Sequence, residues 1–311
     1  MVHNWDIVGH QQQLLGLEKD LRDGNVAHAY LFSGPKQSGK FRVARAFAGI
    51  LQCPNGFCGV CKDCRAVLAG THPDTLFVKD EGESIKIDEV RELIRKTHLT
   101  RQGKVRVILI ENVERMPPEA QNSFLKTLEE PPEGTLFLLT TNHIDQVLLT
   151  VQSRVRHIPF STVDDAVLRQ YLVKEFGERP EMDEAIVMAQ GRPGLAITLI
   201  REPVAFDRHK ALYNQIETFL KRNDLVQKFQ FVEAIEQEDG EVELFLDSLT
   251  RYLRKLVFEY MKMPRHALTG RFSLEDLVNL FEFLEKSRYL IDRNVNRKLV
   301  LENLMLLTEK N

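Results

Sequence analysis

The sequence predicts an α/β fold in which a parallel five-stranded sheet precedes a small helical lid and a C-terminal helical bundle. In the first half of the chain, short apolar segments alternate with segments of helical spacing, which is the pattern of a doubly wound parallel sheet. A glycine-rich loop follows the first strand. From Pro203 onward only helical spacing remains. These observations divide the 311 residues into three predicted domains, 1–161, 162–203 and 204–311.

The sheet is predicted from five runs of apolar and β-branched residues. They are 30–32, 75–78, 105–110, 135–142 and 157–160. Helices are predicted around these strands at 14–21, 43–51, 88–97, 117–130 and 147–151, with Asp88 as the N-cap of the third. Because the carboxyl ends of parallel strands share one edge of the sheet, a ligand is expected at that edge.

The lid and the bundle are predicted from helical spacing. The lid has one helix from a cap at Ser161 or Thr162 to Phe176, a second from Asp183 to Gln190 and a third over 195–200. The bundle helices are 206–220, 225–235, 242–260, 273–290 and 295–308, and the fourth begins with a capping box at Ser273. Apolar stripes of this kind favour packing or assembly rather than chemistry.

The composition is that of a soluble globular protein. The chain is 43% hydrophobic and 28% charged, with a net charge of −3, so no overall positive field indicates nucleic-acid binding. The N-terminal segment lacks the charged and apolar regions of a signal peptide, and no apolar run is long enough to span a bilayer. We therefore expect a cytoplasmic protein that does not interact with a membrane.

The glycine-rich loop, 34–40, has the G-x-x-x-x-G-K spacing of a P-loop. In such a loop the backbone N–H groups and the following helix N-terminus cradle phosphates, and the lysine, here Lys40, reaches the terminal phosphates. Gly34, Gly39 and Lys40 are therefore candidates for binding ATP or ADP. The next position, where a Ser or Thr hydroxyl would hold Mg²⁺, is Phe41, which offers no oxygen ligand. The sequence predicts a phosphate cradle that lacks one anchor of the metal, and it leaves nucleotide binding open.

The third predicted strand ends at Glu111-Asn112, where an ATPase would carry two carboxylates. The first helps to hold Mg²⁺ and the second polarises the attacking water. Glu111 can assist with a cation, and it is equally consistent with a solvent-facing carboxylate at a strand end. Asn112 cannot accept a proton at neutral pH. We therefore do not expect this chain to hydrolyse a nucleotide by itself.

All four cysteines lie within twelve residues, at Cys53, Cys58, Cys61 and Cys64. Four soft ligands with two C-x₂-C steps are typical of a tetrahedral Zn²⁺ site. Four thiolates leave no open coordination position, so the zinc would be structural. Two alternatives remain at this stage, namely reduced cysteines without a metal and a redox role for the C-x-x-C steps.

Four segments together resemble the bacterial clamp-loader subunits, which are AAA+ proteins of the DNA polymerase III holoenzyme. They are His-Ala-Tyr-Leu-Phe-Ser-Gly-Pro at 28–35, the cysteine module at 53–64, Ser-Phe-Leu-Lys-Thr-Leu-Glu-Glu-Pro-Pro at 123–132, and Ser153-Arg154. The resemblance covers essentially the whole chain and is to the delta-prime type rather than to the ATP-hydrolysing gamma/tau type. It implies that 1–161 is an AAA+ P-loop domain and that the bundle contributes to an oligomeric collar.

The nucleotide-site motifs of this family are altered at three places in the chain. Family motors carry Ser or Thr where this chain has Phe41, and an Asp-Glu pair where it has Glu111 and Asn112. Their sensor-2 arginine lies three residues after a lid glycine, whereas here the matching glycine is Gly194 and Arg192 is displaced by two. All three changes affect the nucleotide site of the chain itself.

The Ser-Arg-Cys motif of the family reads Ser153-Arg154-Val155 in this chain, so its arginine is retained. By resemblance, Arg154 acts in trans, as an arginine finger directed at ATP on an adjacent gamma/tau subunit. The planar, permanently charged guanidinium is the group that this role requires. The alternative is a surface arginine in a weak ion pair.

The resemblance implies a non-hydrolysing assembly subunit. Such a subunit would lie in a hetero-pentameric ring with gamma/tau and delta subunits, and would help to load the sliding clamp, contacted indirectly, onto primed DNA. It would belong to a DNA-directed DNA polymerase (nucleotidyltransferase) holoenzyme and would not be an independent ATPase. Two other functions are a self-sufficient gamma/tau-like ATPase that uses Lys40 and Glu111, and a zinc-knuckle nucleic-acid binder, which the net charge of −3 disfavours.

Overall fold

The computed structural model contains two compact units, Met1–Ile197 and Thr198–Asn311. The residues that it describes are 3, 5–79, 85–222, 224–238, 240–262, 272–292 and 295–308. The segment predicted as a lid, 162–203, belongs mainly to the first unit. Its separation as a third domain therefore stays a prediction.

The first unit is built on a sheet of five parallel strands. These are β1 (Ala29–Ser33), β2 (Thr75–Val78), β3 (Arg106–Ile110), β4 (Thr135–Thr141) and β5 (Arg156–Pro159). The strand order is β2-β3-β4-β1-β5, and every neighbouring pair is parallel. The central strands β1, β3 and β4 are buried along their whole length, which explains why they appear in the sequence as continuous apolar runs. The predicted five-stranded parallel sheet is confirmed.

Helices cover both faces of this sheet. They are α1 (Gln11–Arg22), α2 (Lys40–Gln52), α3 (Lys62–Ala69), α4 (Ile87–Thr97), α5 (Pro118–Glu129) and α6 (Leu149–Gln152). The segment predicted as the lid forms α7 (Asp165–Phe176), α8 (Met182–Ala189) and α9 (Pro193–Arg201). Alternate residues of β1 enter different cores: Tyr30 packs in the core that includes Phe47 of α2, whereas Leu31 packs in the core that includes Phe124 of α5. This alternation fixes α2 and α5 on opposite faces of the sheet.

Three local predictions require correction. The helix α3 was not predicted, because the cysteine spacing dominated the interpretation of this segment. The helix α4 begins at Ile87 after Lys86, so Asp88 lies inside its first turn and is not its N-cap. The helix α7 is capped by Asp164, whose side chain accepts a hydrogen bond from the N–H of Ala166, and not by Ser161 or Thr162.

The second unit is a helical bundle. Its helices are α10 (Pro203–Lys221), α11 (Leu225–Glu236), α12 (Glu241–Lys262), α13 (Leu274–Asp292) and α14 (Arg297–Leu307). The predicted capping box is confirmed: the Ser273 hydroxyl accepts from the N–H of Asp276 at 3.2 Å, and the Asp276 carboxylate accepts from the N–H of Ser273 at 2.6 Å. Among the described helices, none is both long enough and apolar enough to cross a membrane.

Candidate nucleotide site, arginine surface and metal centre

The glycine-rich loop, predicted to bind phosphate, lies at the carboxyl edge of the sheet, between the end of β1 and the start of α2. Gly34 donates its N–H to the carbonyl of Thr141 at 3.1 Å, which ties the loop to the end of β4. Its φ is +148°, and a Cβ at this position would lie 2.3 Å from the carbonyl oxygen of Phe160. Only glycine fits there. Gly39, with a φ of +99°, is the N-cap of α2 and turns the loop into the helix.

The N-terminus of α2 supplies the groups that an anion requires. The first N–H groups of a helix have no partner inside the helix, and the helix dipole favours negative charge at this end. The hydroxyl of Ser38 in the same loop is buried and has no hydrogen-bond partner within the described part of the chain. The loop therefore has the backbone and the side-chain donors of a phosphate cradle.

Lys40 is turned toward protein acceptors in this structure. Its ammonium donates to the side-chain oxygen of Asn142 at 2.6 Å and to the carbonyl of Pro35 at 3.1 Å. The side chain is almost fully buried, and burial lowers its pKa to about 8, even though the charges of Glu114 and Glu111 oppose this shift. Lys40 is thus a desolvated cation bound by neutral oxygen atoms.

A row of polar side chains, whose mutual contacts were not predicted, holds Asn142 in place. The Asn142 amide nitrogen donates to the side-chain oxygen of Asn112 at 2.7 Å, so its oxygen faces Lys40. The backbone N–H of Asn142 donates to Glu114 at 2.8 Å. The second carboxylate oxygen of Glu114 is buried without a hydrogen-bond partner among the described residues. Asn112, predicted only as a missing base, therefore orients the acceptor that binds Lys40.

The other predicted residues of the nucleotide site lie near this row. The charge of Glu111 acts on Lys40, so Glu111 lies near the loop. Its role as a metal ligand stays a prediction. Phe41 is partly buried and packs against the core of the α2 face, and the guanidinium carbon of Arg45 lies 6.0 Å from its ring centroid. Phe41 consequently contributes a hydrophobic contact at the position where a metal-binding hydroxyl was expected.

The segment predicted as the lid reaches the phosphate loop. The N–H of Gly194 donates to the carbonyl of Gln37 at 2.9 Å, and a Cβ on Gly194 would lie at the same distance from that oxygen. Arg192 is buried, and its charge contributes to the lowered pKa of Lys40. Although Arg192 is displaced by two positions in the sequence, it lies within electrostatic reach of Lys40.

Arg154 lies on the surface just before β5 and is held by two segments. Its Nε and Nη2 lie 2.8 Å and 2.5 Å from Oε1 of Glu129, the last residue of α5. Its Nη1 donates to the carbonyl of Thr150 at 2.8 Å and to the hydroxyl of Ser153 at 3.2 Å. The side chain remains 33% exposed and that of Glu129 51%. The structure thus shows the ion pair that was the alternative to the finger, and the action of Arg154 in trans stays a prediction.

The four cysteines form one cluster at the end of α2 and the start of α3. Their sulfur atoms all lie within 4.8 Å of one another. The separations are 3.7 Å for Cys53–Cys61, and 3.9 Å for Cys53–Cys58 and Cys58–Cys64. A tetrahedron of sulfurs bonded to Zn²⁺ has edges of about 3.8 Å, whereas a disulfide needs about 2.0 Å. The arrangement fits a metal site and not a pair of disulfides.

The surroundings of the cluster also suit bound thiolates. Burial opposes ionisation of Cys53, but N–H groups from Cys58 and Asn55 outweigh it and lower the pKa of Cys53 to about 6. The sulfur of Cys61 caps α3 by accepting from the N–H of Cys64 at 3.3 Å. Burial and the neighbouring thiols raise the pKa of Cys64, which a bound cation would reverse. The four residues can hold Zn²⁺ with the module's own N–H groups around the sulfurs.

Comparison with known proteins gives the family. Residues 9–164 match the family model described as DNA polymerase III, delta subunit. DNA polymerase III subunit tau/gamma of Haemophilus influenzae is 30% identical over 248 residues, which are 76% of this chain and 36% of that protein. The chain therefore spans little more than a third of that relative. DNA polymerase III subunit delta' of Bacillus subtilis is 26% identical over 317 residues, which are 94% of this chain and 93% of that protein.

The fold is also found in a solved structure. A crystal structure of a DNA polymerase III gamma subunit-related protein from Thermotoga maritima is 20% identical, with a TM-score of 0.53, and the match covers 94% of this chain and 98% of that one. This likeness supports the AAA+ fold class with its five-stranded sheet. Together with the family model, the matches assign the chain to the DNA polymerase III, delta subunit family, as a delta-prime-like clamp-loader subunit.

Proposed function

We propose that this chain is a non-hydrolysing subunit of a DNA polymerase III clamp loader that presents Arg154 to ATP bound by a neighbouring gamma/tau subunit. Its other partner would be a delta subunit, in a hetero-pentameric ring that loads the sliding clamp onto primed DNA. The observation that carries this proposal is the contrast between Lys40, which is buried and bound inside the chain, and Arg154, which is displayed at the surface.

The residues of the chain's own nucleotide site support the absence of hydrolysis. Phe41 packs against the core at the position where a hydroxyl ligand for Mg²⁺ would be needed. Asn112 is neutral and its side-chain oxygen accepts from Asn142, so it cannot serve as a general base. Backbone N–H groups of the loop can still hold phosphates, so ATP or ADP is proposed as a bound ligand without turnover.

The surface around Arg154 supports a role in trans. An arginine finger needs a permanently charged, planar group that can reach a phosphate of another subunit, and Arg154 is one third exposed. Such fingers raise turnover by about 10³- to 10⁵-fold where they have been compared. Cys53, Cys58, Cys61 and Cys64 would hold a structural Zn²⁺ that joins α2 to α3 and takes no part in this chemistry.

The test reconstitutes the complex with gamma/tau and delta subunits and measures ATP hydrolysis stimulated by primed DNA. Arg154→Ala is expected to lower turnover at the adjacent site by about 10³-fold, and Arg154→Lys should restore little, because an ammonium lacks the planar fork. Arg169→Ala, at an exposed arginine that is also in an ion pair, is the matched control. Equal rates for wild type and Arg154→Ala would remove the trans role.

A second candidate, a self-sufficient ATPase, is favoured by one observation. Glu111 and Glu114 both act electrostatically on Lys40, so two carboxylates lie beside the phosphate loop. The chain alone, with Mg-ATP and DNA, distinguishes the two functions. Turnover that disappears in Lys40→Ala would support the second candidate and overturn the first.

A further inference from the structure

Glu129 occupies a position that α5 alone would not favour. It is the last residue of the helix, where the helix dipole disfavours a carboxylate, and Glu130 follows it. Its partner Arg154 lies 25 residues further along the chain, on the segment between α6 and β5. A residue that conflicts with its local structure and gains a specific long-range contact is a candidate for a functional role.

The contacts of Arg154 define one orientation of its guanidinium. The carboxylate oxygen of Glu129 binds Nε and Nη2, while the carbonyl of Thr150 and the hydroxyl of Ser153 bind Nη1. The acceptors come from two different helices and their ends, so they hold the group on two sides. A free arginine side chain at a surface would instead sample many rotamers, and that entropy would be lost on binding a phosphate.

We infer that Glu129 is a positioning residue that holds Arg154 in the orientation in which it meets the γ-phosphate of a neighbouring nucleoside triphosphate. This inference rests on the proposed trans function of Arg154. Because Glu129 acts through the arginine that it binds, its effect is on how often the finger is aligned and not on the reacting atoms. Alignment affects the rate of the chemical step, and the assembly of the complex does not depend on it.

A competing role for Glu129 would have the opposite effect on turnover. If the carboxylate competed with the phosphate for the guanidinium, removing it would free Arg154 and raise turnover. The sign of the change therefore separates a positioning residue from a competing one.

The experiment measures ATP hydrolysis by the reconstituted complex carrying Glu129→Ala, Glu129→Gln or the control Glu130→Ala, whose exposed carboxylate lies next to Glu129. Glu129→Ala is expected to lower kcat roughly 3- to 10-fold with the KM for ATP unchanged. Glu129→Gln, which keeps an oxygen acceptor, should recover part of the loss, and Glu130→Ala should match wild type. Unfolding temperature and complex assembly, measured on the same variants, should not change.

Arg154→Ala in parallel separates this inference from the proposed function. If Arg154→Ala lowers turnover while Glu129→Ala equals or exceeds wild type, the positioning role is wrong and the finger stands. If Arg154→Ala has no effect, the proposed function itself fails. In the double variant, Glu129→Ala should add no further loss, because the group that it positions is absent; an additive loss would contradict the inference.

Discussion

Lys40 and Arg154 are cations near the ends of adjacent strands of one sheet, and their surroundings differ in burial and in the charge of their acceptors. Lys40 is buried, its pKa is lowered to about 8, and its acceptors are an amide and a carbonyl. Arg154 is partly exposed and its main acceptor is a carboxylate. A buried cation bound by neutral groups is poorly placed to attract an incoming phosphate, whereas an exposed guanidinium stays charged and reachable. The comparison indicates that Arg154 is accessible from outside the chain, whereas Lys40 is bound within it.

The largest expected effect concerns the far end of α2, the helix that carries the phosphate loop. Replacing Cys58 and Cys61 with serine should remove about one zinc per chain and lower the free energy of unfolding by at least about 4 kcal/mol. Elemental analysis and urea unfolding measure the two changes. Lys62→Ser, an exposed change in the same module, is the control. A metal-free wild type of equal stability would contradict the zinc site.

The next effect tests the burial of Lys40 through pH. The folded-state pKa of about 8 lies below the usual value of 10.5, so between these pH values the unfolded chain binds the extra proton. The unfolding free energy of wild type relative to Lys40→Met should therefore rise by about 2 kcal/mol from pH 7.5 to pH 10. Urea unfolding at both pH values measures this rise. Lys36→Met, at an exposed lysine of the loop, is the matched control. A pH-independent difference for Lys40 would mean that it is not desolvated.

A smaller effect concerns the metal anchor at the start of α2. Phe41→Thr restores a hydroxyl and should make ATP binding about 10-fold tighter in the presence of Mg²⁺, whereas wild type should bind equally with and without Mg²⁺. Phe41→Leu keeps the core contact without an oxygen ligand and is the matched control. Titration with a fluorescent ATP analogue measures the affinities. A strong Mg²⁺ dependence of ATP binding in wild type would show that the site of this chain binds the metal despite Phe41.

The smallest effect concerns Asn142, whose side-chain oxygen accepts a hydrogen bond from Lys40. Asn142→Ala removes an oxygen that competes with phosphate for the ammonium, so ATP should bind roughly 3- to 5-fold more tightly. Asn142→Asp, similar in shape but negatively charged, should weaken binding instead. The same titration decides between these signs. Weaker binding in both variants would show that Asn142 assists the nucleotide.

Much of the fold could be predicted because its signals are local. The central strands are continuous apolar runs, and Gly34 and Gly39 mark a loop whose backbone conformation is specific. The helix α3 was missed because eight residues beside a ligand cluster carry too little periodicity to stand out. The start of α4 was placed wrongly because Asp88 suits both an N-cap and a first turn.

The candidate site was predictable only in part, for a different reason. The sequence identified Lys40 and Arg154 from their motifs, but not the groups that bind them. Asn142 lies 102 residues from Lys40, and Glu129 lies 25 residues from Arg154. Such pairs form when strands and helices of the sheet come together, so no spacing rule applied to a short segment finds them. The roles of neighbouring polar residues thus depend on tertiary structure.

The parallel pairing of β1 and β5 has a consequence for assembly. The phosphate loop follows β1, whereas Arg154 precedes β5, so the two lie at opposite edges of the same sheet. A two-fold symmetric contact uses the same patch on both subunits, so it would need the arginine and the pocket within one patch. A head-to-tail contact joins unlike surfaces, and it can bring the arginine of one subunit to the pocket of the next. Under the proposed trans role of Arg154, the direction of these two adjacent strands therefore favours a head-to-tail contact between subunits.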